Sequence, residues 1–225
     1  LHILGGAPSR RGASVRTTAE IEQSYDLQAG TYVAALANQT YADQKTEIGK
    51  KLASVIEQYE PVNLLDAGTG EATTLVPLLL AMKVKPRRVL GFDISLPRLD
   101  IARKHMRDNG LTGMFIQSPL DAIPLGSKSF DVVTTYHAIE PNRGREMEIL
   151  TELLRVTRKA LVMVEPSYEI AHKSARARMD SLCYVRGLPS VVSGLGYEAK
   201  CEAWGLDANP ENPAALIVVE KNSGV

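Results

Sequence analysis

The chain has 225 residues, 44% hydrophobic and 23% charged, which is the balance of an ordinary globular protein long enough for one sizeable domain. Lys plus Arg equals Asp plus Glu at 26 each, so overall basicity gives no argument for a nucleic-acid partner, and none is expected. No apolar run approaches the roughly 20 residues that span a bilayer. The two cysteines, Cys183 and Cys201, have neither metal-ligand nor disulfide-framework spacing, so a reducing cytosol is the expected setting.

Residues 1–16 are rich in Gly, Ser, Ala and Arg without apolar period and read as a loosely attached arm. A helical cap is expected over 17–61. Thr17 or Thr18 can start its first helix, with Glu20 and Glu22 in the first turn. Ile48, Leu52 and Ile56 mark the apolar face of a later one, and Pro61 ends the region. Residues 62–225 form the core, with strands expected over 62–66, 88–93, 114–117, 130–135 and 160–165. Helices are expected over 71–82, 97–109 and 143–158, with a short piece near 120–123. Continuously apolar runs such as "VLGF" and "ALVMV" suit strands covered on both faces. Alternation of strand and helix predicts a doubly wound α/β sheet with right-handed crossovers. The last two runs, "GYEAKCEAW" and "AALIVVEK", are joined by a loop too short for a crossover helix, so the last strand is antiparallel and the sheet has seven strands. Segment 167–194 exceeds a minimal link and is a candidate acceptor-side insertion.

The stretch "NLLDAGTGEATTL" ends a buried strand with an acid and two glycines. In such a sheet, ligands sit beyond the carboxyl ends of the strands, where glycine lets backbone approach closely. A plain strand-to-helix turn would look similar. A dinucleotide site would need a third Gly, whereas Ala72 and Thr73 follow Gly70. Asp66 and Glu71 would repel a pyrophosphate but suit a cationic group. Asp93 closes the next strand, where an acid can accept bonds from both hydroxyls of a ribose, or cap the following helix. At a strand end, its loss is expected to spare the fold.

"LLDAGTGEA" resembles the first motif of the class I S-adenosylmethionine-dependent methyltransferases, and "VLGFDIS" their second. "DAIPLGSKSFDVVTTYHAIEP" is similar to the segment through strand four in the branch that includes the ubiquinone and menaquinone methyltransferases. The resemblance implies a Rossmann-like methyltransferase fold and S-adenosylmethionine as cofactor. It places Asp66 and the backbone of Ala67, Gly68, Thr69 and Gly70 at the methionine part, Asp93 at the ribose and Ile94 at the adenine. Thr135 and Tyr136 would lie beside the methionine chain. The family's usual acid after strand three is replaced by Ser118 and Pro119, so Ser118 and the Leu120 backbone are expected to hold the adenine. "SYDLQAGTYVAAL" resembles a Tyr-Asp…Tyr segment ahead of the core in related enzymes, which puts Tyr25 near the cofactor and Tyr32 near the acceptor.

His137 follows the strand-four end and is the candidate general base, with Glu140 beside it, because imidazole titrates near neutral pH. Glu165 could orient an acceptor. His2, His105 and His172 lack metal-site spacing, and no metal is expected. The run "HKSARARMDSLCYVRG" carries His172, Lys173, Arg176, Arg178 and Arg186; it is either a solvated helix face or a receptor for an anionic acceptor, with His172 and Arg176 as candidates. Methyl transfer to a small molecule, on oxygen, is the leading function. A cofactor-binding subunit without catalysis is the alternative, and carbon or nitrogen acceptors stay open.

Overall fold

In the computed structural model, which describes residues 15–207 and 209–221, the apolar runs form seven strands. These are β1 (Asn63–Ala67), β2 (Arg88–Asp93), β3 (Met114–Gln117), β4 (Phe130–Tyr136), β5 (Thr157–Pro166), β6 (Lys200–Ala203) and β7 (Ala214–Glu220). They form one sheet in the order β3-β2-β1-β4-β5-β7-β6. β7 runs antiparallel to both β5 and β6; the other pairs are parallel. This is the doubly wound, mostly parallel sheet with an antiparallel last strand that the alternation predicts.

The helices are α1 (Thr18–Asp26), α2 (Thr31–Ala35), α3 (Gln39–Ile56), α4 (Leu75–Ala81), α5 (Leu96–Asp108), α6 (Glu146–Val156), α7 (Lys173–Ser181) and α8 (Leu188–Gly194). Thr17 starts α1 with a capping box closed by Glu20, which satisfies two otherwise orphaned backbone donors. Period-two alternation in the strands sends Leu64, Val132, Val162 and Leu216 to the layer made by α3, α4 and α5. Leu65, Val133, Leu161 and Ile217 face the layer of α6 and α8. Helix α3 closes on α4 at Gly49, where a Cβ would stand 2.4 Å from the Pro77 carbonyl carbon.

Some expected boundaries move, each for a local reason. The helix expected from 71 starts at Leu75, because Ala72 takes φ +59° and turns the chain before it can coil. β5 begins at Thr157 rather than 160, since Thr157 pairs with Phe130 across a register shift. Residues 120–122 make a turn, not a helix. The arm expected over 1–16 lies, except for Val15 and Arg16, outside the described residues. Of segment 167–194, α8 packs into the sheet layer, whereas α7 sits on a small cluster with Ala171, Met179 and Tyr184. No helix among the described residues is long and apolar enough to cross a membrane.

Candidate functional site

Strand order reverses between β1 and β4, and a crevice opens beyond the carboxyl ends of these strands, as expected for an open α/β sheet. It holds a cavity of about 630 Å³ closed over by α1, the α1–α2 turn and α3. Lining it are Asp66, Gly68, Thr69, Gly70, Asp93, Ile94, Ser118, Leu120, Tyr136, His137 and Glu140, with Tyr25 and Tyr32 from the cap. The remaining candidates lie elsewhere. Ala67 and Thr135 are fully buried and do not line the cavity. His172 and Arg176 line a shallow surface depression on α7.

The first turn is built by its glycines. Gly68 has φ +72° and Gly70 φ +53°, conformations that cost a residue with a Cβ. The turn then aims N–H groups inward: Gly68 and Thr69 both donate to the Phe92 carbonyl, at 2.8 and 2.9 Å. Gly70 N–H donates to Asp93 Oδ2 at 2.9 Å, while Ser95 N–H donates to Asp93 Oδ1 at the same distance. Asp93 therefore ties the β1 turn to the β2 turn as well as facing the cavity.

Glu71 departs from its expected part. Its carboxylate accepts the N–H groups of Gly30 at 2.9 Å and Val33 at 2.7 Å, in the first turn of α2. It latches the cap to the core instead of meeting a cationic ligand. Ser95 adds a second tie, its hydroxyl donating to Asp26 at 2.6 Å.

Buried charges set the electrostatics. Burial pushes the Asp66 carboxyl up to about 6, against the pull of Thr69 and of the Lys45 ammonium. Burial also pushes Lys45 down to about 8. Lys45 comes from α3, is 9% exposed, and donates to Thr74 Oγ1 at 3.0 Å with the Tyr136 ring 5.0 Å away. Neither Lys45 nor Asp66 enters an ion pair among the described residues, although each feels the other's charge. Arg98, 7% exposed, lies between Tyr25 and Tyr32 with ring centres at 4.9 and 4.7 Å. Burial raises the Asp93 pKa, and Arg98 opposes that shift.

Neither Lys45 nor Arg98 is among the site residues expected from the sequence, yet each carries a signal there. Lys45 falls on the same helical face as Ile48, Leu52 and Ile56, where a cation is out of place. Arg98 sits in the first turn of α5, against the preference of the helix dipole.

Beyond β4, His137 takes φ +53° and donates its N–H to the Val164 carbonyl at 2.9 Å. Glu165 is fully buried, and it accepts the N–H groups of Ala138 at 3.0 Å and Ile139 at 3.1 Å. It is thus a positioning group under the turn, not an acceptor ligand, and burial raises its pKa to about 7. The His137 Nδ1 atom lies 3.3 Å from Glu140 Oε2 and 3.4 Å from Asn212 Nδ2. A backbone held in a disfavoured region by two buried anchors is a common mark of a functional turn. No cluster of His, Cys, Asp and Glu suited to a metal occurs among the described residues.

Residues 64–160 match the model of a family described as a methyltransferase domain. Among solved structures, the chain is similar to magnesium protoporphyrin IX methyltransferase (ChlM) from Synechocystis PCC 6803 with bound SAH. The TM-score is 0.68 at 12% identity, over 91% of this chain and 99% of that one. The SAM-bound form of the same protein gives a TM-score of 0.66 at 13% identity, over 94% and 100%. The [4+2]-cyclase SpnF gives 0.68 at 15% identity, over 95% and 100%. At these identities the likeness establishes the fold. No curated protein matches by sequence.

Proposed function

Since residues 64–160 form a methyltransferase domain and the chain has the fold of the class I S-adenosylmethionine-dependent methyltransferases, we propose that it methylates the oxygen of a small acceptor that carries an anionic group. The observation that carries this reading is the pair of opposed, unpaired, buried charges in one cavity, Asp66 and Lys45, with Asp93 across the glycine turn. Buried charges that make no direct ion pair are costly, so such a pair calls for a ligand that brings both signs. The α-amino acid end of S-adenosylmethionine does so: Asp66 would receive the ammonium and Lys45 the carboxylate. Asp93 would take the ribose hydroxyls, and Ile94, Ser118 and Leu120 would flank the adenine.

When bound, the cofactor would supply an electrophilic methyl on a sulfonium, with a neutral thioether as the leaving group. The chain's own work is to hold the acceptor in line and to take its proton. His137 receives the proton on the ring nitrogen not directed at Glu140, and the Glu140 carboxylate stabilises the resulting imidazolium. Tyr25 and Tyr32 cover the site and exclude water. We also place the reaction in the cytosol, a reading supported by the free thiols of Cys183 and Cys201.

Thermal shift tests the charge pair directly. S-adenosylhomocysteine should stabilise the protein far more than 5′-methylthioadenosine, which lacks the amino acid end. Lys45→Met should weaken the first ligand by about 1.5–3 kcal/mol, the worth of a charged hydrogen bond, and leave the second unchanged. Equal shifts in parent and variant would remove Lys45 from the ligand.

Affinity for S-adenosylhomocysteine should also be bell-shaped in pH. Burial lowers the Lys45 pKa, so its cation is lost as pH rises through about 8. Burial raises that of Asp66, so its anion is lost as pH falls through about 6. Titrations across pH 5 to 9 that show flat affinity would contradict this.

A further inference from the structure

The cations of residues 172–186 do not act together. His172 caps α7 through the Ala175 N–H, and its side chain is 55% exposed. Arg176 donates to the Tyr168 and Glu169 carbonyls at 3.1 and 3.0 Å, which fastens α7 to the preceding loop. Arg186 pairs with Asp180 and lies 4.0 Å from the Tyr168 ring. Arg178 alone of these turns into the main cavity.

Its surroundings are unusual for an arginine. Arg178 is half-buried, enters no ion pair among the described residues, and meets only neutral partners, donating from Nη1 to Asn212 Oδ1 at 3.2 Å and reaching the Tyr184 hydroxyl. A guanidinium has five N–H donors in a planar fork, so most of its capacity is open. The Tyr184 ring lies 5.7 Å away. Burial holds the Tyr184 phenol far above its usual range, with Glu140 adding to the shift, so Tyr184 offers no negative charge. Glu140, the nearby carboxylate, is directed at His137.

We infer that Arg178 and Asn212 form a subsite for the carboxylate of the acceptor, and that the acceptor is a phenolic acid whose hydroxyl faces His137. This rests on the methyl-transfer reading and names its substrate class. Asn212 joins the two ends: its Oδ1 accepts from Arg178, and its Nδ2 is 3.4 Å from His137 Nδ1. An acid group and a nucleophilic hydroxyl therefore lie within one small molecule's reach. One guanidinium with a neutral amide matches a planar monoanion; a phosphate dianion would call for more positive charge. A phenol, with pKa about 10, lies within reach of an imidazole base, unlike an aliphatic alcohol. Tyr136, with its ring centre 4.7 Å from that of His137, and Tyr184, beside Arg178, supply aromatic walls suited to a ring.

The test titrates protein saturated with S-adenosylhomocysteine with 4-hydroxybenzoate, 3,4-dihydroxybenzoate and 4-hydroxycinnamate, each beside its neutral amide. At least one acid should bind ten-fold or more tightly than its amide, and the preference should shrink as salt rises. Arg178→Gln should abolish the preference while affinity for the amide and for S-adenosylhomocysteine stays fixed. Arg178→Lys should restore it in part, since it keeps the charge without the fork. Lys173→Gln, an exposed control, should change nothing. Equal binding of acid and amide, an unaltered preference in Arg178→Gln, or no binding by any acid would overturn the proposal. Failure of S-adenosylhomocysteine itself to bind would instead strike the methyltransferase reading.

Discussion

Gly68→Val should lower affinity for S-adenosylhomocysteine at least 100-fold and the melting temperature by several degrees. Two separate defects act at this position. The φ of +72° is strongly disfavoured for a β-branched residue, a strain on the order of 1–3 kcal/mol. A Cβ would also stand 2.4 Å from the Ala138 Cβ, which side-chain rotation cannot relieve. Ala138 belongs to the turn anchored by Glu165 that carries His137, so one substitution displaces the glycine turn and His137 together. Gly68→Ala should show the same defects in milder form. Calorimetry on folded Gly68→Val that found parental affinity would mean that Asp66 to Gly70 is a turn and nothing more.

Asp93→Ala should harm both fold and affinity. Read from the sequence, Asp93 is a ligand group at a strand end whose loss spares the fold. The structure corrects this, because its carboxylate accepts two buried backbone N–H groups, from Gly70 and Ser95. Leaving a buried donor unsatisfied costs about 1–3 kcal/mol, so unfolding in urea should show a loss of that order or larger. Asp93→Asn keeps an acceptor oxygen and should recover part of the stability but little of the affinity, since an amide cannot bind both ribose hydroxyls as a carboxylate does. Parental affinity in either folded variant would exclude Asp93 from the ribose.

What was legible in the sequence had a local cause. β2 and β3 lie where continuous apolar runs end at turn residues, and the Gly68 and Gly70 turn announces its backbone requirement in two residues. The side-chain assignments were harder because their outcome depends on distant partners. Glu71 reads as a free carboxylate beside a ligand until the α2 backbone, some forty positions earlier, arrives to claim it. Arg176 and Arg178 are two residues apart on one helix, about 200° around its axis, so they face opposite ways, and only the packing of α7 decides which enters the cavity. Glu165 looks like a cavity acid at a strand end, yet the Ala138 and Ile139 amides fold over it. Lys45 is readable from the sequence, since a charge on an apolar helical face needs a reason.

The cavity at the β1–β4 switch point is the proposed seat of S-adenosylmethionine. Calorimetric titration of the whole chain with S-adenosylhomocysteine near pH 7 tests it most directly. One site should appear per chain, with a dissociation constant of roughly micromolar order, about −8 kcal/mol, competed by S-adenosylmethionine and not by NAD. No heat at millimolar ligand, or binding undiminished by Gly68→Val, would contradict it.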